Sequence, residues 1–200
     1  MKDVTISQGN SKMGMIRSVS LPSVVTCVNC KCNTICYARK IERLRPNVAR
    51  SYIRNLQTLT ADPDRYWRVV EGAIKASSLF RFHVSGDIPD STYFDKMVEV
   101  AARNQHCKIL CFTKKYGIVN TYLSKVGRLP DNLRIIFSAW VGLKMVNPFL
   151  LPEAHIRFKN GETTARPDAI ECFGNCSECA TCDGGCWSMK PGDQVVFNQH

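Results

Sequence analysis

Residues 79–87 read LFRFHVSGD: a largely apolar run closed by Ser85, Gly86 and Asp87. Its length and aromatic content predict a strand over 79–84 whose end opens into a polar loop. The pattern recurs twice downstream. Residues 108–112 (KILCF) end in Thr113, Lys114 and Lys115, and residues 133–137 (LRIIF) end in Ser138, Ala139 and Trp140. Between these runs, Phe94, Met97, Val98 and Ala101 recur at helical spacing behind Asp90 or Ser91, and a second helix is expected over about 117–127, before Leu129-Pro130-Asp131. Strands separated by helices at this spacing imply βαβ units and a parallel sheet.

Outward from this centre the same logic holds. Asp62 before Pro63 predicts an N-cap and a proline in the first turn of a helix carrying Tyr66, Trp67, Val69, Val70 and Ile74. Pro46 suits the first turn of a helix over about 47–59. Residues 15–19 predict a first strand that leads, past Pro22 and Val24-Val25, into Cys27. Residues 154–158 and 169–170 predict short further strands. The expected fold is α/β, an incomplete parallel (β/α) barrel forming one domain over 1–200. Its parts are an extended lead-in (1–14), a β/α core (15–170) and a cysteine-rich tail (171–200), with no 20–50-residue repeat beyond the β/α alternation.

Parallel sheets gather function at the carboxyl ends of their strands. Ser85, Gly86, Asp87, Thr113 and Ser138 fall there and are the candidate cofactor-binding residues, with Asp87 the candidate catalytic one. The plain alternative for Asp87 is a turn or capping aspartate. Lys114 and Lys115 suit either a phosphate or solvent. His83 reads as a core or rim histidine with a satisfied hydrogen bond, with general acid/base work as its other role. Trp140 and Trp187 suit shielding of a metal group or ordinary packing.

Cysteine usage is the second strong signal. Of 11 cysteines, Cys27, Cys30, Cys32 and Cys36 crowd one loop, and Cys172, Cys176, Cys179, Cys182 and Cys186 crowd another. Cys176 to Cys186 follow C-x2-C-x2-C-x3-C, the bacterial ferredoxin run for [4Fe–4S] clusters. Trp187 stands where that run usually has proline. Zinc would also accept Cys27 and Cys30 as half of a site. Cys107 and Cys111, flanking a strand, read as buried thiols. Both cysteine groups follow strands, so both are expected on one rim. The expected ligand sets are Cys176, Cys179 and Cys182 with Cys172 or Cys186, and Cys27, Cys32 and Cys36 with Cys186 or Cys30.

Formal net charge is +10, which favours a polyanionic partner, although thiolate clusters would offset part of it. Arg39, Lys40, Arg43, Arg45, Arg50 and Arg54 make a basic helical region, either a nucleic-acid surface or a solvated face. The first residues contain no apolar signal segment, and no run is long enough to span a membrane. Many cysteines without secretion point to metal in a reducing cytoplasm rather than to disulfides.

GNSKMG near the start, CNTICYARK, HVSGD, FTKK and the closing cysteine run together resemble a family of phage-borne proteins, the one named after mycobacteriophage gene product eighty-eight. The resemblance covers nearly the whole chain and implies a host-cytoplasmic location. More distantly, a cysteine loop after the first strand ending in Cys36-Tyr37, followed by β/α units, resembles the radical S-adenosylmethionine (SAM) superfamily. That likeness implies a [4Fe–4S] cluster in the loop, with Ser85-Gly86-Asp87 where the superfamily holds the SAM amino group and Ser138 facing the ribose. Cys32-x3-Cys36 matches only part of the superfamily's C-x3-C-x2-C loop, and the full spacing occurs instead at Cys172, Cys176 and Cys179. The expected function is therefore an iron–sulfur protein, a redox or radical-SAM-like enzyme served by an electron donor protein. The alternative is a non-catalytic cluster protein, or a zinc-stapled one, that binds nucleic acid.

Overall fold

The computed structural model describes residues 4–27, 30–32, 34–181 and 185–199. In chain order the elements are β1 (Arg17–Val19), α1 (Ser23–Thr26), α2 (Tyr37–Leu44), α3 (Pro46–Ala61), α4 (Pro63–Lys75), β2 (Leu79–Phe82) and α5 (Ser91–Arg103). There follow β3 (Lys108–Thr113), α6 (Tyr116–Val126), β4 (Leu133–Ser138), β5 (Glu153–Arg157), β6 (Ile170–Glu171), α7 (Cys176–Thr181) and β7 (Gln194–Asn198). The strands form one parallel sheet in the order β1-β2-β3-β4-β5-β7-β6. The α/β class is as expected. The sheet is open, with β1 and β6 as its edges, so it does not form a closed barrel.

Local chemistry sets the boundaries. The Asp62 carboxylate accepts from the Arg65 N–H at 3.0 Å, with Pro63 next in line, and so starts α4. Asp90 caps α5 the same way, accepting from the Tyr93 N–H at 2.8 Å. Gly127, at φ 84°, closes α6 in the left-handed conformation that glycine adopts without a Cβ penalty.

Two expectations need correction. β2 stops at Phe82 instead of running to Val84, because His83 takes φ 58° and turns the chain out of extended geometry. The tail is more than a cysteine-bearing segment: residues 194–198 form β7, which inserts between β5 and β6.

The two faces of the sheet are covered differently. On the outer face Phe80, Phe82, Ile109, Cys111, Ile135 and Phe137 pack against Tyr66, Val70 and Ile74 of α4, Phe94 and Met97 of α5, and Val119 of α6. Each large side chain fully buried there contributes about 1.5–3 kcal/mol relative to exposure. Cys107 and Cys111 are buried in this core. On the inner face Leu110, Ile136, Ala154 and Val195 cluster, covered by Met13 of the lead-in, by Ile16 just before β1 and by Trp187 and Met189 of the tail. The lead-in is also fixed by α3: buried Asn55 donates to the carbonyls of Thr5 at 3.1 Å and Ser20 at 3.0 Å, and accepts from the Thr5 N–H at 2.7 Å. Among the described residues no helix is long and apolar enough to cross a membrane.

Candidate functional site

The carboxyl ends of β2, β3 and β4 converge as the sequence implies. Ser85, Gly86, Asp87, Thr113 and Ser138 line one cavity of about 180 Å³, and Cys27, Cys30, Cys32 and Cys36 line it too. The loop after β1 and the loops after the next three strands thus share one rim.

Much of that rim is bonded to itself. Asp87 Oδ1 accepts from the Thr113 hydroxyl at 2.6 Å and the Ile88 N–H at 2.8 Å, while Oδ2 accepts from the Lys114 N–H at 2.9 Å. Burial pushes the Asp87 carboxyl up, and these three hydrogen bonds hold it back. Thr113 Oγ1 in turn accepts from the Lys115 N–H at 2.9 Å. The Ser85 hydroxyl donates to Glu42 of α2, whose Oε1 also accepts from the Ser23 N–H at 3.0 Å. Gly86 has φ 82°, and a Cβ there would lie 2.6 Å from the Leu21 carbonyl oxygen. The close approach at this glycine is therefore to the protein's own β1 loop. Tyr116 donates to the Ser138 carbonyl.

The thiols are organised around Cys32. Its sulfur lies 2.6 Å from that of Cys30, and it hydrogen-bonds Cys36 as well. That bonding lowers Cys30 and Cys36 to about 6 and pushes Cys32 far up. The backbone N–H groups of Arg39 and Ala38 add to the lowering at Cys36. Burial, then the Asp87 charge, push Cys27 up to about 12. The Lys114 ammonium favours the thiolate form at all four positions. Lys114 also lies 5.8 Å from the Trp140 ring centroid.

Arg39 and Arg81 complete the cationic part of the wall, and His83 lines it as well. His83 departs from expectation. It is buried against Phe82 and Tyr93, and neither ring nitrogen has a hydrogen-bond partner among the described residues. Burial, then the nearby Arg81 charge, lower it to about 3, so the imidazole is neutral. Sequence reasoning missed Arg81 and Glu42. Arg81 was visible as a cation inside an apolar strand run; Glu42, four residues beyond Ala38 on α2, carried no such signal.

The donor set suits a thiolate-bound metal in type and number: four cysteines, two of them acidified, with cations nearby. The 2.6 Å contact between Cys30 and Cys32 is shorter than the roughly 3.8 Å that tetrahedral zinc–thiolate bonds imply between ligand sulfurs. Those two side chains must part to share a metal. Among the described residues no group of three His, Cys, Asp or Glu side chains is already closed into an ion-binding geometry.

The second cysteine group does not line this cavity. Cys172, Cys176 and Cys186 pack on the inner-face cluster of Leu110, Ile136 and Val195, and the Cys176 N–H donates to the Lys12 carbonyl at 2.8 Å. Cys172 follows β6 at a carboxyl end of the sheet, as expected, but the tail then packs on the inner face before β7 enters, so the two groups do not share one cavity. The electrostatic neighbours of Cys186 are Cys172, Arg81, Cys176 and Cys179, so it stands with its own group and not with the first. Cys182 lies outside the described residues.

The basic region divides. Lys40, Arg43, Arg45 and Arg50 are exposed on α2, α3 and their junction, and none pairs with a carboxylate among the described residues. Arg39 lines the cavity. Arg54 is partly buried and donates to the hydroxyls of Thr5 at 3.4 Å and Ser51 at 3.0 Å.

A family profile described as gene product 88 matches residues 2–145. The chain belongs to the gene product 88 family. The matched region of this family member contains the first cysteine group and the whole rim, and it ends ahead of β5 and the second group. No curated protein matches the chain, and no solved structure does.

Proposed function

We propose that the rim cavity binds a [4Fe–4S] cluster through Cys27, Cys32 and Cys36, with Cys30 as the fourth ligand of a redox enzyme or the fourth iron left open to SAM in a radical-SAM-like one. One observation carries the reading: four thiols from a single loop meet on one cavity at the carboxyl ends of parallel strands. A bound cluster would supply one-electron chemistry there, with SAM as the co-substrate of the radical variant.

The chain's own residues have distinct tasks. Cys30 and Cys36 are lowered chiefly by the Cys32 thiol, and that bonding gives way when the thiols turn to a metal. Lys114 balances their charge. Asp87 is a positioning residue, since its carboxylate spends three hydrogen bonds on the loops after β2 and β3. Ser85, Gly86, Thr113 and Ser138 shape the wall against which a cofactor such as SAM would lie. The reading requires a reducing compartment, such as a host cytoplasm, and an electron donor protein. Zinc held by the same thiols is the metal alternative.

Anaerobic isolation decides between these metals. Iron with matching acid-labile sulfide supports the cluster; stoichiometric zinc in colourless protein removes it. SAM binding to the reduced protein, with 5′-deoxyadenosine formed on reduction, supports the radical variant, and the absence of both removes it.

A second reading rests on the exposed basic surface. Lys40, Arg43 and Arg50 present unpaired cations beside the exposed Leu44 and Ile53, as a nucleic-acid-binding surface would. A cluster in that case has a structural role.

A further inference from the structure

The inner face of the sheet holds a charge with no counterpart. Arg81, which also lines the rim cavity, projects there from β2, its guanidinium 4.9 Å from the Phe112 ring centroid. Its Nε has no hydrogen-bond partner and it forms no ion pair among the described residues. Arg134 stands in register with it across Leu110, and its Nε is also without a partner. A partly buried guanidinium without an anion is costly, so the face is built for negative charge.

The segment that covers this face is the second cysteine group. Cys172 follows β6, Cys176 and Cys179 lie on α7, and Cys186 follows in the next loop. Arg81 is an electrostatic neighbour of both Cys176 and Cys186. Cys172, Cys179 and Cys186 line a cavity of about 350 Å³, distinct from the rim cavity. Gly185 is pressed onto α7: a Cβ there would lie 2.5 Å from the Cys179 carbonyl oxygen. None of these four cysteines is in a disulfide.

We propose that Cys172, Cys176, Cys179 and Cys186 form a second metal–thiolate site, separate from the rim cavity, with Arg81 as its counter-charge. The ligand is a thiophilic metal, as a single ion or an iron–sulfur cluster. Each ligating thiol releases its proton to solvent, and four thiolates on a divalent ion leave a net charge of about −2. Arg81 faces that charge. Filling the site also clips the tail to the lead-in, because Cys176 bonds Lys12 and a Cβ on Gly14 would lie 2.7 Å from the Ser177 hydroxyl.

The test uses the full chain isolated anaerobically, with iron, sulfide and zinc counted per chain. Cys172→Ser with Cys176→Ser should remove the metal of this site and leave that of the rim; Cys32→Ser with Cys36→Ser should do the reverse. Arg81→Met should speed loss of this site's metal to a chelator by about tenfold or more, and Arg81→Lys should largely restore retention. Cysteine alkylation of the unaltered holoprotein, mapped by mass spectrometry before and after chelation, answers the same question should a variant fail to fold. Protection of Cys172, Cys176, Cys179 and Cys186 that chelation abolishes supports the site. Full metal content in the Cys172/Cys176 variant, or free alkylation of these four thiols in the holoprotein, overturns it. Full metal content in the Cys32/Cys36 variant counts against the rim reading alone.

Discussion

The Thr113 hydroxyl donates to Asp87 Oδ1 at 2.6 Å, joining the end of β3 to the loop that follows β2. With the Lys114 N–H on the other oxygen, one carboxylate holds two strand ends in place beneath the cysteine loop. Asp87→Asn keeps an acceptor for Thr113 but turns an amide donor toward the Lys114 N–H. That unmet donor should cost roughly 1–3 kcal/mol. Thr113→Val should cost about 1 kcal/mol, and the double variant should fall short of the sum because the two share one bond. Urea unfolding of the four proteins measures this; strict additivity would show that the pair does not act as a unit.

Gly86 meets the β1 loop at a distance no side chain tolerates. Gly86→Ala combines a left-handed backbone with a Cβ 2.6 Å from the Leu21 carbonyl oxygen, so it should destabilise by at least about 1–3 kcal/mol. Gly72, with nothing within 4 Å of its built Cβ, is the control, and Gly72→Ala should leave stability unchanged or slightly improved. Thermal unfolding compares them.

His83 should make stability fall in acid. Its folded value is lowered to about 3 from 6.5, so the unfolded chain binds the extra proton between those limits. Stability from this group is full above pH 6.5 and is lost as pH falls toward 3, on the order of several kcal/mol. Asp87, raised by burial, acts in the opposite sense, stabilising at low pH and losing that contribution as pH rises through its folded value. His83→Asn, which tolerates the left-handed backbone, should flatten the acid limb of a stability–pH curve. An unchanged slope would mean the imidazole is not buried neutral.

The exposed basic surface makes a separate prediction. If it binds nucleic acid, Arg43→Glu with Arg50→Glu should weaken binding and lower the slope of log K against log salt by about 2. Fluorescence anisotropy with a labelled oligonucleotide at several salt concentrations reads both quantities. Equal affinity and slope in the variant would exclude this surface.

The sheet core was legible from residues 79–138 because the strands are short apolar runs with polar ends, and Asp62 and Asp90 mark helix starts by chemistry that acts locally. The rim followed from the parallel winding, which places Ser85, Gly86, Asp87, Thr113 and Ser138 without reference to side-chain contacts. What sequence could not supply was long-range. β7 reads as a plain apolar run, and nothing local tells it to insert between β5 and β6. The tail's descent over the inner face depends on Trp187 and Met189 meeting Leu110 and Ile136, partners far off in the chain. For the same reason Cys186 looked equally suited to either cysteine group, and Gly86 looked like room for a ligand when its neighbour is Leu21.

The most direct test of the rim site is the iron and acid-labile sulfide content of anaerobically isolated protein, compared with Cys32→Ser/Cys36→Ser. The rim reading predicts that the variant loses about four irons and about four sulfides per chain relative to the parent. Iron and sulfide equal in the two proteins, or absent from the parent, would contradict it.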